Sequence, residues 1–434
     1  MTLPPPPVPS VPPVPPVPHS LHAPTLQAWH QRCCSLQILI DMTRGLPSAE
    51  QVALSQGLLH LPGDTAFTSA EGVDWRNYGG LQGLVEVRAL FAPLLLGVPA
   101  TQVAVGGNSS LALMHGVIGL AWRKGFPGAA PWRNTQTPVR FLCPVPGYDR
   151  HFAICTDYGI ELVPVPMNGD GPDMEIVERR VAQDPLIRGM WCVPHHSNPG
   201  GCTYSETVLE RLAMMPAAAA DFTIFCDNAY VVHDFPATPA CPPALHRACV
   251  AAGNPDRALV FASTSKMTIP GAGMAFIGGS AARMAWWLEA QRARTLGPDK
   301  LNQVRHLLFF GDAERVRAHM AAHGALLQAR FACVLAVFER LLGDVPDVHW
   351  TRPGGGYFIT LQVPVGCARR VVSLAAQAGV RLTPAGSTHC HGVDPQDSCL
   401  RIAPSCLSPH QATAAAGIVA GCVRLAAAGR RGVS

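Results

Sequence analysis

Charge is scarce in this sequence. Lys, Arg, Asp and Glu make up 14% of the 434 residues and aromatics 7%, against 48% apolar residues. That balance excludes a disordered polyelectrolyte and calls for an extensive buried core. The net charge is +4 with the signs interspersed, and no basic stripe marks a nucleic-acid partner. The fifteen cysteines are scattered, as at Cys33, Cys34, Cys143, Cys155, Cys192 and Cys226, with no CxxC pair. Buried free thiols are the ordinary reading of that pattern, and no metal centre is expected from it. The N-terminus lacks the basic and apolar regions of a secretory signal. The quietest uncharged stretch, 101–122, carries Gln102, Asn108, Ser109 and Ser110, too polar to span a bilayer. These absences lead to the expectation of a cytoplasmic protein with no membrane partner.

Proline, in contrast, is concentrated at one end. Residues 1–20 are mostly proline and valine, a composition that favours extended polyproline II and a disordered leader. Beyond residue 80, short apolar runs alternate with helical patterns. Strands are expected at 103–105, 140–143, 161–165, 189–193, 222–226, 258–262 and 274–277. Helices are expected at 110–124, 149–157, 174–182 and 206–215. The alternation implies an α/β fold with a mostly parallel sheet, and the near-continuous apolar runs imply burial on both faces. A long helical pattern at 312–342 leads into a smaller α+β region. There, strands are expected at 357–363, 380–383 and 399–402, with helices at 368–378 and after 408. The expected organisation is a leader (1–20), an N-terminal contribution to the small domain (21–74), a large domain (75–315) and the C-terminal small domain (316–434).

Ligands of open parallel sheets gather at the carboxyl ends of the strands. After the strand at 103–105 come Gly106, Gly107, Asn108, Ser109 and Ser110, which form either an anion cradle or a plain helix cap. After 140–143, two prolines and Gly147 present Tyr148, for stacking or for core packing. After 189–193 come His195, His196 and Asn198. Paired histidines invite a metal, but neighbours on an extended segment point to opposite sides. After 222–226 come Asp227 and Tyr230, an acid that needs a partner because a buried carboxylate is costly alone. After 258–262 come Ser263, Ser265 and Lys266, a lysine whose desolvation would leave a nucleophilic amine. Each position has an ordinary structural reading by itself. Five in succession supply a cradle, a ring, an amide, an acid and a lysine.

This order resembles the fold-type I pyridoxal 5′-phosphate (PLP) enzymes of the aspartate aminotransferase superfamily, most of all the bacterial class Ic subgroup. The matching stretches are RNYGGLQGLVEVR (76–88), GGNSSLALM (106–114), FLCPVPGYDRHFAIC (141–155), GPDMEIVE (171–178), SNPGG (197–201), FCDNAY (225–230), ASTSKMTIPGAG (262–273) and LRIAPS (400–405). They cover nearly everything outside the leader. The resemblance implies that Lys266 carries PLP as a Schiff base and that Asp227 pairs with the ring nitrogen. It implies that Tyr230 and Asn198 bond the ring O3′ and that Tyr148 stacks on the ring. Asn108, Ser109, Ser110, Ser263 and Ser265 would hold the phosphate, joined by Tyr78 from the neighbouring subunit of a homodimer. Arg401 would grip the substrate carboxylate, its partners being an amino acid and a 2-oxo acid.

The chain departs from the family pattern in places. Met274 stands where an arginine commonly meets the phosphate, and Gly200-Gly201 replaces Thr-Gly. His195-His196 stands where the subgroup has Lys-Tyr, and the segment 387–391 is unusual. These changes leave the amino donor open between aspartate, another dicarboxylic amino acid and others. Arg76, Arg150 and Arg44 are the candidates for reading a side-chain carboxylate. The alternative functions are another PLP reaction at Cα (lyase, decarboxylase or oxidase) and a PLP-binding regulator. The regulator usually carries a DNA-binding domain ahead of the fold, where this chain has the proline leader.

Overall fold

Thirteen strands organise the chain in the computed structural model, which describes residues 11–63, 67–69, 72–236 and 244–430. They are β1 (Ile40–Asp41), β2 (Val103–Val105), β3 (Arg140–Val145), β4 (Glu161–Asn168), β5 (Gly171–Pro172), β6 (Ile187–Cys192) and β7 (Thr223–Asp227), followed by β8 (Ala258–Ser263), β9 (Ala275–Gly278), β10 (His349–Trp350), β11 (Ile359–Gln362), β12 (Val380–Arg381) and β13 (Cys399–Ile402). Eight form one sheet in the order β2-β9-β8-β7-β6-β3-β4-β5. The central pairs are parallel, and only β9 and β5 run against the rest.

Alternate residues on these strands feed two separate cores. Leu142, Ile224 and Val260 pack on one face, and Phe141, Phe225 and Phe261 on the other. Every residue of β7 is buried, which explains the apolar run Ile224–Cys226 before Asp227. Phe225 and Phe261 stack at 5.9 Å with nearly parallel rings. Gly189 lets β6 lie against Phe141, since a Cβ there would meet the ring at 2.1 Å.

The second body is α+β. β10, β11 and β13 form an antiparallel sheet, and β1 pairs with β12. The N-terminal segment enters this body through Gly379. Its φ is +82°, and a Cβ would collide with the Ile38 carbonyl at 1.8 Å. The helix Ala313–Leu342 joins the two bodies: Val316 and Met320 pack with the sheet core, Leu327 onward with the other. This helix and Pro409–Arg430 are long and apolar enough to cross a membrane, but 83% of the apolar window of the second is buried within the fold.

Three expectations are corrected. β4 runs past 165 to Asn168 because its tail pairs with the edge strand β5. The strand expected at 380–383 ends at Arg381, which frees Thr383 to donate its hydroxyl to the Thr43 carbonyl. The first ten residues of the leader lie outside the described residues. Its remainder packs rather than floats: Val17 is buried, and the Trp29 indole donates to the Pro15 carbonyl at 3.0 Å.

Candidate active site

The carboxyl ends of β2, β3, β6, β7 and β8 open along one edge of the sheet. With the segment Thr43–Pro47 and with Phe358 and Arg401 they bound a cavity of about 470 Å³. Ten of the expected site residues line it: Asn108, Ser109, Ser110, Tyr148, Asn198, Asp227, Tyr230, Ser263, Ser265 and Lys266, with Arg401 opposite. Tyr78 is not among them. It is 83% exposed, on a segment held by the Lys300 ammonium, which donates to the carbonyls of Asn77 and Tyr78.

Lys266 Nζ lies 5.0 Å from the centre of the Tyr230 ring. Desolvation lowers its pKa, and the Asp227 charge opposes that shift. Asp227 ends β7 and is 4% exposed. Its Oδ2 is 3.2 Å from His151 Nε2, while Oδ1 is buried without a hydrogen-bond partner. His151, in the helix Asp149–Asp157, stacks on Trp191 at 4.3 Å and 7°. Burial pushes the Tyr230 hydroxyl well above its ordinary pKa. It raises Tyr148 to about 12, with the Asp227 charge adding to the effect.

Arg401 Nη2 donates to the Thr43 carbonyl at 3.0 Å and to Thr383 Oγ1 at 3.2 Å, and its guanidinium lies over Phe358. Nη1 approaches Asn198 Oδ1 at 3.5 Å and Asp149 at 4.0 Å, and Nε is buried and unpartnered. Among the second-arginine candidates, Arg76 is spent in an exposed ion pair with Asp74 at 3.0 Å. Arg44 and Arg150 are exposed and line the cavity. Neither has a carboxylate within ion-pair distance among the described residues.

The other end of the cavity is neutral. Ser109 caps the helix Ser110–Lys124, accepting from the Ala112 amide at 3.2 Å and keeping its own proton free to donate. Ser265 Oγ donates to the Asn108 carbonyl at 3.0 Å. Met274 is buried in the sheet core, and its backbone amide donates to Thr264 Oγ1. An anion placed here would meet only hydroxyls and the free N–H groups of the helix start.

Behind Lys266 lies a set of groups that the sequence did not single out. His233 Nε2 and the Tyr357 hydroxyl reach the Lys266 carbonyl at 3.3 and 3.4 Å. His319 Nε2 donates to the Met267 carbonyl at 2.7 Å. His306 Nε2 lies 3.2 and 3.0 Å from the hydroxyls of Thr264 and Thr268. Burial pushes the pKa of His233 and His323 down to about 3 and that of His306 to about 4. These histidines are therefore neutral hydrogen-bonding wedges. His195 and His196 also differ from expectation. They do not point to opposite sides, because His196 has a φ of +47°, and the two rings lie 4.1 Å apart.

The donor set fits PLP. Asp227 Oδ1 is an acceptor lacking a donor, which a protonated ring nitrogen would supply. Lys266 is a desolvated amine, and Tyr148 offers a ring beside it. Comparison with known proteins agrees. Residues 19–433 match the family model described as aspartate amino-transferase. The chain is 46% identical to an aspartate aminotransferase of Corynebacterium glutamicum, over 91% of each chain. The crystal structure of an aspartate transaminase from C. glutamicum superposes with a TM-score of 0.92 at 43% identity, covering 95% of this chain and 97% of that one. LysN, the α-aminoadipate aminotransferase of Thermus thermophilus solved with N-(5′-phosphopyridoxyl)-L-leucine, shares the fold at a TM-score of 0.69 and 23% identity. That likeness covers 95% of this chain and 97% of LysN.

Proposed function

The chain belongs to the aspartate aminotransferase family and is a PLP-dependent aminotransferase, and from that premise we propose that its amino donor is aspartate or another dicarboxylic amino acid, exchanged with a 2-oxo acid by ping-pong chemistry. The observation that carries this reading is the placement of cations. Arg401 is pinned on one edge beside Asn198, while Arg44 and Arg150 stand at the mouth with no carboxylate partner among the described residues. Arg401 suits an α-carboxylate, because its planar fork matches two oxygens. The free guanidiniums suit a second, distal one.

PLP when bound supplies an electron sink for the pair left as a bond at the substrate Cα breaks. In this reading the chain does the rest. Lys266 Nζ anchors the cofactor and then, as a neutral amine, takes the proton from Cα. Its depressed pKa favours the form able to do so. Asp227 holds the ring nitrogen protonated, and His151 fixes that carboxylate. Tyr230 and Asn198 bond the ring O3′, and Tyr148 covers the ring face. Asn108, Ser109, Ser110, Ser263 and Ser265 receive the phosphate, together with Tyr78 of the partner subunit in a cytoplasmic homodimer. The small domain, built from 21–74 and 316–434, closes on the large one (75–315) and brings Arg401 to substrate.

The test is a screen of amino acids against the holoenzyme, followed by its visible absorbance and by the 2-oxo acid released. Aspartate or glutamate should shift the band and yield oxaloacetate or 2-oxoglutarate. A shift with apolar amino acids alone would overturn the dicarboxylate reading.

A further inference from the structure

His195 and His196 follow β6, and Asp234 lies seven residues beyond the end of β7. Chain distance between them is large, yet their side chains converge. Nε2 of His195 and Nε2 of His196 lie 2.9 and 2.8 Å from the same oxygen, Asp234 Oδ1. One donor atom from each residue falls within a sphere of mutual distances under 4.8 Å. The left-handed backbone at His196 turns both rings to the same side. The histidine side chains are 0 and 4% exposed and that of Asp234 is 20% exposed, so the carboxylate alone borders solvent.

Charge counting makes this cluster unusual. Its only ionic partners among the described residues are the two imidazoles, with no lysine or arginine at the carboxylate. With both rings neutral the cluster carries −1 in a mostly dry place, which is costly. A divalent cation at the meeting point would supply the missing charge and accept both Nε2 lone pairs.

We propose that His195, His196 and Asp234 form a mononuclear site for a divalent transition metal, with zinc the best match. Two imidazoles and a carboxylate disfavour calcium and magnesium, which take oxygen ligands. Three protein ligands leave a fourth position for water on the exposed side of Asp234. Metal–ligand distances of about 2.0–2.1 Å put tetrahedral ligand atoms about 3.3 Å apart, so each Nε2 would move away from Asp234 Oδ1 by a few tenths of an ångström. None of the three lines the active-site cavity, so the metal is a staple, not a Lewis acid for the transamination. It joins the loop that carries Asn198 to the loop that follows Tyr230. Gly355 lies directly on the cluster: a Cβ there would sit 2.3 Å from His196 Nε2. Asp234 also makes a backbone bridge to Gly355, in the segment that leads to Phe358 beneath Arg401. All three ligands belong to 75–315, so the staple ties two loops of the sheet body at the point where Gly355 packs on them.

The experiment uses untagged, PLP-loaded full chain, treated with a chelator and then titrated with Co²⁺ and separately with Zn²⁺. Co²⁺ should give d–d absorption of a low-coordinate site that saturates at one ion per chain. Zn²⁺ should raise the melting temperature by about 3 °C at a hundredfold excess over its Kd. The double variant His195→Gln/His196→Gln should lose both responses and keep the PLP absorbance. His115→Gln, which removes an exposed histidine–aspartate pair, should keep both. Absence of a saturable Co²⁺ spectrum in the unaltered protein would overturn the proposal, and so would an unchanged spectrum in the double variant. If the double variant does not fold, the titration of the unaltered protein decides.

Discussion

At one end of the cavity Asp227 is 4% exposed, held by a histidine that is itself clamped on Trp191. At the other end Asn108 is open to solvent, Ser109 and Ser265 are half-buried, and the family's usual arginine is replaced by a core methionine. The first end concentrates one full charge in a dry place and leaves one of its oxygens unpartnered. The second spreads neutral donors over a wet one. A single buried charge acts strongly because little water screens it. Several exposed donors act weakly one by one, because water competes for each. The Asp227 end should therefore be brittle to substitution and the Asn108–Ser265 end tolerant.

Substitutions along the cavity test that contrast. The largest effect is expected at Lys266, where both ends meet: Lys266→Ala should lower kcat by about 10⁴-fold and abolish borohydride-reducible attachment of PLP, read by mass spectrometry. Asp227→Asn should follow, with kcat down about 10²–10³-fold while PLP still binds, because the amide cannot keep a ring nitrogen protonated. At the serine-rich end, Ser265→Ala should weaken PLP by only about three- to tenfold, in line with the loss of one neutral hydrogen bond. An effect there as large as that of Asp227→Asn, measured by PLP titration, would erase the contrast.

A smaller and more global prediction concerns acid. A buried histidine with a depressed pKa is neutral when folded and gains a proton more readily when unfolded. Its contribution is intact above pH ~6.5 and is lost as pH falls from there toward the folded values near 3–4. Each of His233 and His306 should cost about 2 kcal/mol of stability at pH ~5. Urea melts at pH 7 and 5 read the difference, and His306→Gln should flatten it. PLP should dissociate in the same pH range, since these rings brace the Lys266 segment.

Much of this was legible along the chain. Helices Ser110–Lys124 and Asp149–Asp157 stand where the pattern puts them, because Ser109 caps one and the turn at Tyr148 starts the other. The five strand-end positions converge because parallel strands carry their carboxyl ends to one edge. His151 was not legible. Its partner Asp227 is 76 residues away, and they meet because β6 lies between β3 and β7. Nor were His233, His306 and His319, each of which reads alone as an ordinary core histidine. Arg76 was a fair candidate until Asp74, two residues away, took its guanidinium.

The sequence alone determined the alternation of strands and helices and which residues stand at the strand ends, Lys266 among them, since periodicity and strand-end residues are local properties. Only the tertiary structure decided which side chains face one another across elements. It turned His195 and His196 to the same side toward Asp234, paired His151 with Asp227, and set Arg44 and Arg150 at the mouth of the cavity. These outcomes depend on strand order and on single backbone dihedrals such as that of His196, and no residue type or spacing encodes them by itself.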